Sequence, residues 1–184
     1  MIKKILNIVR KLRIKNMNWG KISSFYIDKD YVLIGTDYIF IGNHFYADSN
    51  LRLQAWTSYG TQWFNPNITI GNNVSMMENC QISCCSKITI GDGCLFGANV
   101  FITDNLHGNN TTEQLSIPPL QRPLYVKGEV HIGSNVWIGR NVCIMPGVTI
   151  GDGVIIGANA VVTHDIPSCC VVAGVPAKVI KTIE

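Results

Sequence analysis

The sequence predicts an all-β chain wound into a parallel β-helix, a solenoid of short strands and tight corners. Two observations carry this expectation. From Ile132 to Ile166 the chain reads in sixes: IGSNVW, IGRNVC, IMPGVT, IGDGVI, IGANAV and VTHDIP. Upstream, the same beat falls on Ile70, Met76 and Ile82, and again on Ile90, Phe96 and Ile102. A strict six-residue period fits neither a helix of period 3.6 nor an alternating strand with variable turns. It is the hexapeptide signature of a β-helix, in which each six residues make one strand and one corner. The first position (Ile132, Ile138, Ile144, Ile150, Ile156, Val162) and the fifth (Val136, Val142, Val148, Val154, Ala160, Ile166) supply the stacked interior. Gly, Asn and Asp serve corners that need positive φ.

At 184 residues the chain is the size of one domain, and 47% hydrophobic against 15% charged residues suits a solenoid core plus a buried subunit contact. Seven cysteines is an odd number and no spacing matches a zinc motif. Cys80 and Cys94 hold fifth positions and are expected to fill core. The vicinal pairs Cys84-Cys85 and Cys169-Cys170 do not readily bridge to themselves, so a reduced, cytoplasmic protein is expected. No run of about 20 apolar residues marks a transmembrane helix.

Residues 1–20 form the first element. Ile2, Ile5, Leu6, Val9 and Leu12 share one helical face, and residues 1–15 carry six cations and no acid. This basic amphipathic helix is expected to cap the end of the solenoid, with attraction to a membrane surface as a second role. Cations at 10, 11 and 13 interrupt the apolar stretch and argue against a cleavable signal peptide. The formal charge of +3 rests on this segment, because the rest of the chain has nine cations against twelve acids. A general basic surface for nucleic acid is therefore not indicated.

Residues 21–174 are expected to form the β-helix. The beat starts imperfectly near Ile34 and Ile41 and is lost from Gln54 to Asn67, a stretch holding Trp56, Tyr59, Trp63 and Phe64. Such aromatics either stack on sugar rings or, the favoured reading, plug a coil or a subunit contact. The beat slips by two residues near Lys87-Ile88. A second gap contains Pro118, Pro119 and Pro123 and predicts a loop over about 107–130 that leaves the solenoid. After Pro167 the chain is expected to form an extended strand and a Gly-Val-Pro turn, with residues 175–184 as a tail ending in a short helix.

Function must be argued from sites placed on this scaffold. Of the four histidines, His107 stands where the coil breaks, in FITDNLHG. A histidine on a rigid edge beside a loop can act as a general base, its unperturbed pKa being about 6.5. A surface histidine that only makes hydrogen bonds fits the same spacing. Asp104 either orients His107 or simply serves a corner.

Three stretches carry a resemblance: ITDNLHG, the run NVWIGRNVCIMPGVTIGDGVIIGANAVVTHDIP, and the ending AGVPAKVIK. From Ile70 to Lys181 the chain resembles the hexapeptide-repeat acyltransferases, specifically sugar O-acetyltransferases that include modifiers of bacterial surface polysaccharides. The resemblance implies a left-handed coil, acetyl-coenzyme A as acyl donor without a metal, and homotrimers with active sites between subunits. It implies that His107 deprotonates an acceptor hydroxyl, which attacks the thioester directly without a Ser or Cys nucleophile. Trp137 matches the tryptophan of the family's VWIG motif along the cofactor and acceptor channel, and Gly139 and Arg140 follow at its edge. An outward Trp at a trimer contact is compatible with the same position. Ala158 and Thr163 match positions that meet the pantetheine arm, and Lys178 and Lys181 match basic positions that reach the nucleotide phosphates.

Two departures matter. His164 stands where the family often has Lys, which weakens a cofactor contact. In FYADSN, Asp48 follows Tyr46 and Ala47 where galactoside and maltose acetyltransferases often carry an acceptor-binding Asn. A saccharide acceptor touching Tyr46, Asp48 and Trp137 is implied, though a simple galactoside or maltose is in doubt. The expected function is O-acetylation of a sugar in O-antigen, capsule or exopolysaccharide synthesis. The alternatives are N-acetylation of a nucleotide-linked amino sugar, a γ-type carbonic anhydrase and a non-catalytic solenoid subunit. The anhydrase typically needs histidines five residues apart, and Ile102 and Thr112 occupy those positions around His107.

Overall fold

The computed structural model describes residues 18–19, 25–109 and 111–184. These residues wind into a three-faced parallel solenoid. The first face stacks Asn18–Trp19, Ile39–Ile41, Asn67–Ile70, Lys87–Ile90, Val130–Ile132 and Thr149–Ile150. The second begins at Phe25–Ile27 and runs through Phe45–Ala47, Ser75–Met76, Leu95–Phe96, Trp137–Ile138 and Ile155–Ile156 to Cys170–Ala173. The third stacks Val32–Ile34, Arg52–Ala55, Gln81–Cys84, Phe101–Thr103, Cys143–Ile144 and Val161–Val162. The chain passes from first to second to third face in each coil, and consecutive coils pair in register.

The hexapeptide explains the interior. A fifth-position residue and the following first-position residue are two apart, so both point inward on one short strand. Val142 and Ile144, Val154 and Ile156, and Ala160 and Val162 are all essentially inaccessible. The two-residue slip near Lys87 is a four-residue strand that turns both Ile88 and Ile90 inward. Cys80 and Cys94 fill core as expected, joined by Cys84, Cys85 and Cys170, while Cys169 is exposed.

Asparagine builds the corner between the second and third faces. Asn50, Asn79, Asn99, Asn141 and Asn159 all take φ near +60°. Each side-chain amide donates to the next, at 2.8–3.0 Å, forming a ladder along that edge. Asn tolerates this conformation and its amide finds a partner one coil away, so one residue type meets both demands.

Both irregular stretches leave the solenoid at one edge, the corner from the third face back to the first. The first is a hairpin, Ser58–Tyr59 against Gln62–Trp63. The second opens with Asn105–His107, antiparallel to Leu124–Val126, and carries a one-turn helix at Thr112–Leu115.

Two expectations need amendment, and a third falls beyond the described residues. Asn18–Trp19, assigned above to the capping segment, pairs in parallel with Phe40–Ile41, so the solenoid has begun by residue 18. The amphipathic helix expected over residues 1–15 lies outside the described residues. The terminal helix is a strand: Lys178–Thr182 returns antiparallel on Cys170–Ala173. The open edge of the second sheet offers that stretch a backbone ladder, broken by one register shift between Val171 and Val172, and β-branched Val179, Ile180 and Thr182 suit it. Among the described residues, no helix is long and apolar enough to cross a membrane.

Candidate active site

The residues singled out from the sequence fall on two edges of the prism. His107, Asp104, Thr163 and His164 lie at the third-to-first corner, where the inserts leave. Trp137, Gly139, Arg140, Ala158, Tyr46 and Asp48 lie on the second face or at its corner with the third. Lys178 and Lys181 lie on the exposed outer strand of the second sheet.

His107 is exposed at the root of the second insert, directly opposite Leu124. Its Nδ1 lies 3.4 Å from the Tyr59 hydroxyl, and the two rings meet edge to face with centroids 5.5 Å apart. Tyr59 comes from the hairpin insert, so this part of the aromatic segment lies outside the coils. Trp63, on the same hairpin, is 84% exposed. Gln62 fixes the hairpin by donating from Nε2 to the Leu124 carbonyl at 3.0 Å and accepting the Leu124 N–H at 2.6 Å.

Asp104 has a different set of partners. It is wholly buried, and its carboxylate accepts the backbone N–H of Cys85 at 2.8 Å and of Ser86 at 2.7 Å. The Asn105 amide donates to it at 2.9 Å, and none of these bonds goes to His107. The carboxylate ties one coil's corner to the corner beneath it. Burial, followed by the charge of Asp104, pushes the neighbouring Cys85 thiol up to about 12. Thr163 Oγ1 lies 2.8 Å from His164 Nδ1 further along the same edge.

At the second-to-third corner, four of the predicted cofactor residues line one open groove of about 530 Å³: Trp137, Gly139, Arg140 and Ala158. Trp137 is half exposed on its rim. Gly139 is required by close approach, since a Cβ there would stand 2.6 Å from the Ala158 nitrogen. Arg140 bonds Glu78 across the groove at 2.8 Å. Tyr46 sits three coils away from Trp137, its ring stacked at 5.3 Å on Tyr26. Asp48 accepts the N–H of Ser49 at 2.7 Å. One outward row runs in register from Trp137 through Ile155 and Val171 to Lys181. Among the described residues, no three His, Cys, Asp or Glu side chains converge as metal ligands.

Comparison with known proteins identifies the scaffold. The family signature described as bacterial transferase hexapeptide (six repeats) matches residues 129–164, and that of the hexapeptide repeat of succinyl-transferase matches 87–104. WbbJ of Escherichia coli (strain K12), named for O-acetyl transfer in lipopolysaccharide biosynthesis, is 40% identical over 144 residues, 76% of this chain and 69% of the relative. The chain belongs to the hexapeptide-repeat acetyltransferases. The hexapeptide-repeat acetyltransferase VCA0836 of Vibrio cholerae O1 biovar eltor, solved with acetyl-coenzyme A, matches 95% of this chain and 76% of its own with a TM-score of 0.65 at 20% identity. AntD of Bacillus cereus is an N-acyltransferase, solved as a point mutant with dTDP-4-amino-4,6-dideoxyglucose and coenzyme A. It matches 95% of this chain and 89% of its own with a TM-score of 0.75 at 20% identity. At such identities the likeness is one of fold, the left-handed parallel β-helix.

Proposed function

We propose that the protein transfers an acetyl group from acetyl-coenzyme A to a saccharide hydroxyl during assembly of a bacterial surface polysaccharide such as lipopolysaccharide. It works as a homotrimer in the cytoplasm, and residues 1–15 draw it to the anionic inner face of the membrane. One observation carries the site: an exposed histidine on one edge of the prism, and a glycine-floored groove on another. Edges of one prism face apart, so a complete site takes His107 from one subunit and the groove from its neighbour. Three copies closing in a ring repeat that junction three times.

The groove fits the acyl donor. Gly139 keeps backbone at its floor, Trp137 forms a wall, and the row from Trp137 to Lys181 spans three strand spacings, about 14 Å. Lys178 and Lys181 then stand where phosphates can be met. The donor supplies an electrophilic thioester carbonyl. His107 takes the proton of the acceptor hydroxyl as the acceptor oxygen bonds to the carbonyl carbon. It returns that proton to the departing sulfur as the carbon–sulfur bond breaks, so no residue of the chain becomes acylated.

The 40% identity to WbbJ supports an oxygen rather than a nitrogen acceptor, since the AntD likeness speaks for the fold alone. Incubating the enzyme with acetyl-coenzyme A and a panel of lipid-linked and nucleotide-linked sugars tests this by mass spectrometry. Mild alkali removes an ester-linked acetyl group and leaves an amide in place. An alkali-stable product would overturn O-acetylation, and its acceptor would be an amino sugar.

A further inference from the structure

We infer that Tyr59 is a positioning residue that fixes the proton of His107 on Nδ1 and leaves the lone pair of Nε2 for the acceptor hydroxyl. The inference rests on the reading of His107 as the base and adds to it which nitrogen acts and what holds it so.

A tyrosine hydroxyl has one hydrogen and two acceptor lone pairs. The Tyr59 hydroxyl donates its hydrogen to the Leu120 carbonyl, a partner that can only accept. The same oxygen faces His107 Nδ1. With its hydrogen committed, it can meet Nδ1 only as an acceptor, so Nδ1 must carry the proton. A neutral imidazole with Nδ1–H has a bare Nε2, the form a base requires. At 3.4 Å the bond is long, as catalytic hydrogen bonds often are before substrate binds.

The hairpin itself is held in place by Gln62. Tyr59 and Gln62 are directly paired across the hairpin. Gln62 clamps both backbone groups of Leu124, the residue paired directly opposite His107. The hairpin therefore docks on the strand that carries His107's partner, at the position that brings Tyr59 to the imidazole. Two inserts that leave by one edge, far apart in the chain, are joined here, on a different edge from the groove.

Long-range nitrogen–proton correlation spectra of the full chain, labelled with ¹⁵N-histidine, read which ring nitrogen holds the proton. Comparison with His107→Asn assigns the signals. A free imidazole in water prefers Nε2–H, so wild-type His107 should show the opposite form, Nδ1–H. Tyr59→Phe should shift it toward Nε2–H and lower turnover roughly tenfold, the scale of one hydrogen bond, with the KM for acetyl-coenzyme A within about twofold. A wild-type His107 protonated on Nε2 overturns the inference, as does Tyr59→Phe with unchanged tautomer and turnover. If Tyr59→Phe does not fold, the wild-type spectrum decides alone. If His107→Asn keeps full turnover, the base assignment fails, and the spectrum still decides whether Tyr59 sets the tautomer.

Discussion

Replacing Asp104 with Ala should unfold the corner that it ties and leave the imidazole's own contacts in place. The carboxylate is fully buried and accepts two backbone N–H groups from the corner at Cys85 and Ser86, plus the Asn105 amide. Hydrogen bonds to a charged group contribute roughly 1.5–3 kcal/mol each, and a buried donor left without a partner costs about 1–3 kcal/mol. Ala strands the Cys85 and Ser86 donors together, so the loss should be about 3–6 kcal/mol. For a chain of this size each kcal/mol moves the midpoint by roughly 2–4 °C, which gives a fall of about 6–24 °C. Thermal unfolding followed by circular dichroism reads it directly. Asp104→Asn keeps one acceptor oxygen and sets an NH₂ group against the second donor, so it should fall between Ala and wild type. A variant that melts within about 2 °C of wild type yet loses turnover would refute this reasoning. It would return Asp104 to the role of orienting His107.

Other outcomes follow from the same geometry. Lys178→Ala with Lys181→Ala should raise the KM for acetyl-coenzyme A and leave turnover nearly unchanged. Phosphate contacts distant from the reacting carbonyl bind ground and transition states alike; a fall in turnover at unaltered KM would contradict this. Stability should decline above about pH 9, because burial pushes the Cys80 thiol up to about 11, above its ordinary 9.0. Between those values the folded chain keeps a proton that the unfolded chain releases, so alkali favours unfolding. Cys80 alone withdraws roughly 2 kcal/mol or more by about pH 11. A melting temperature flat from about pH 8 to about pH 10.5 would contradict it, and Cys80→Ala should remove part of the slope. Mixed trimers of a His107→Asn chain and a Trp137→Ala chain should recover activity that neither has alone, because some junctions then pair an intact histidine with an intact groove. No recovery in verified mixed trimers would place both halves of the site in one subunit.

The scaffold was legible because the fifth and first positions of each hexapeptide are local facts. Val154 and Ile156 declare an inward strand without reference to anything distant. His107 was legible for the opposite reason, as a chemically able residue at the point where the period stops. The partners of both site carboxylate and histidine were not legible. Asp104 binds Cys85 and Ser86, 18–19 residues earlier, and only the stacking of corners brings them together. Tyr59 meets His107 across 48 residues because two inserts leave by the same edge. A local signal for that hairpin did exist: Gly60, with φ of +57°, lies between the paired residues Ser58–Tyr59 and Gln62–Trp63. The terminal strand was missed although VIKT is rich in β-branched residues, because its partner, the open edge of the second sheet, is set by the stacking of coils and not by local sequence.

The central claim is that His107 carries the proton transfer, and turnover of His107→Asn tests it most directly. The substitution keeps a polar side chain at an exposed position outside the stacked core, so trimer mass and acetyl-coenzyme A binding should match wild type. With the true acceptor, turnover should fall by roughly 10²–10⁴, the contribution of a positioned general base. A folded, trimeric His107→Asn enzyme that turns over at close to the wild-type rate would contradict the account.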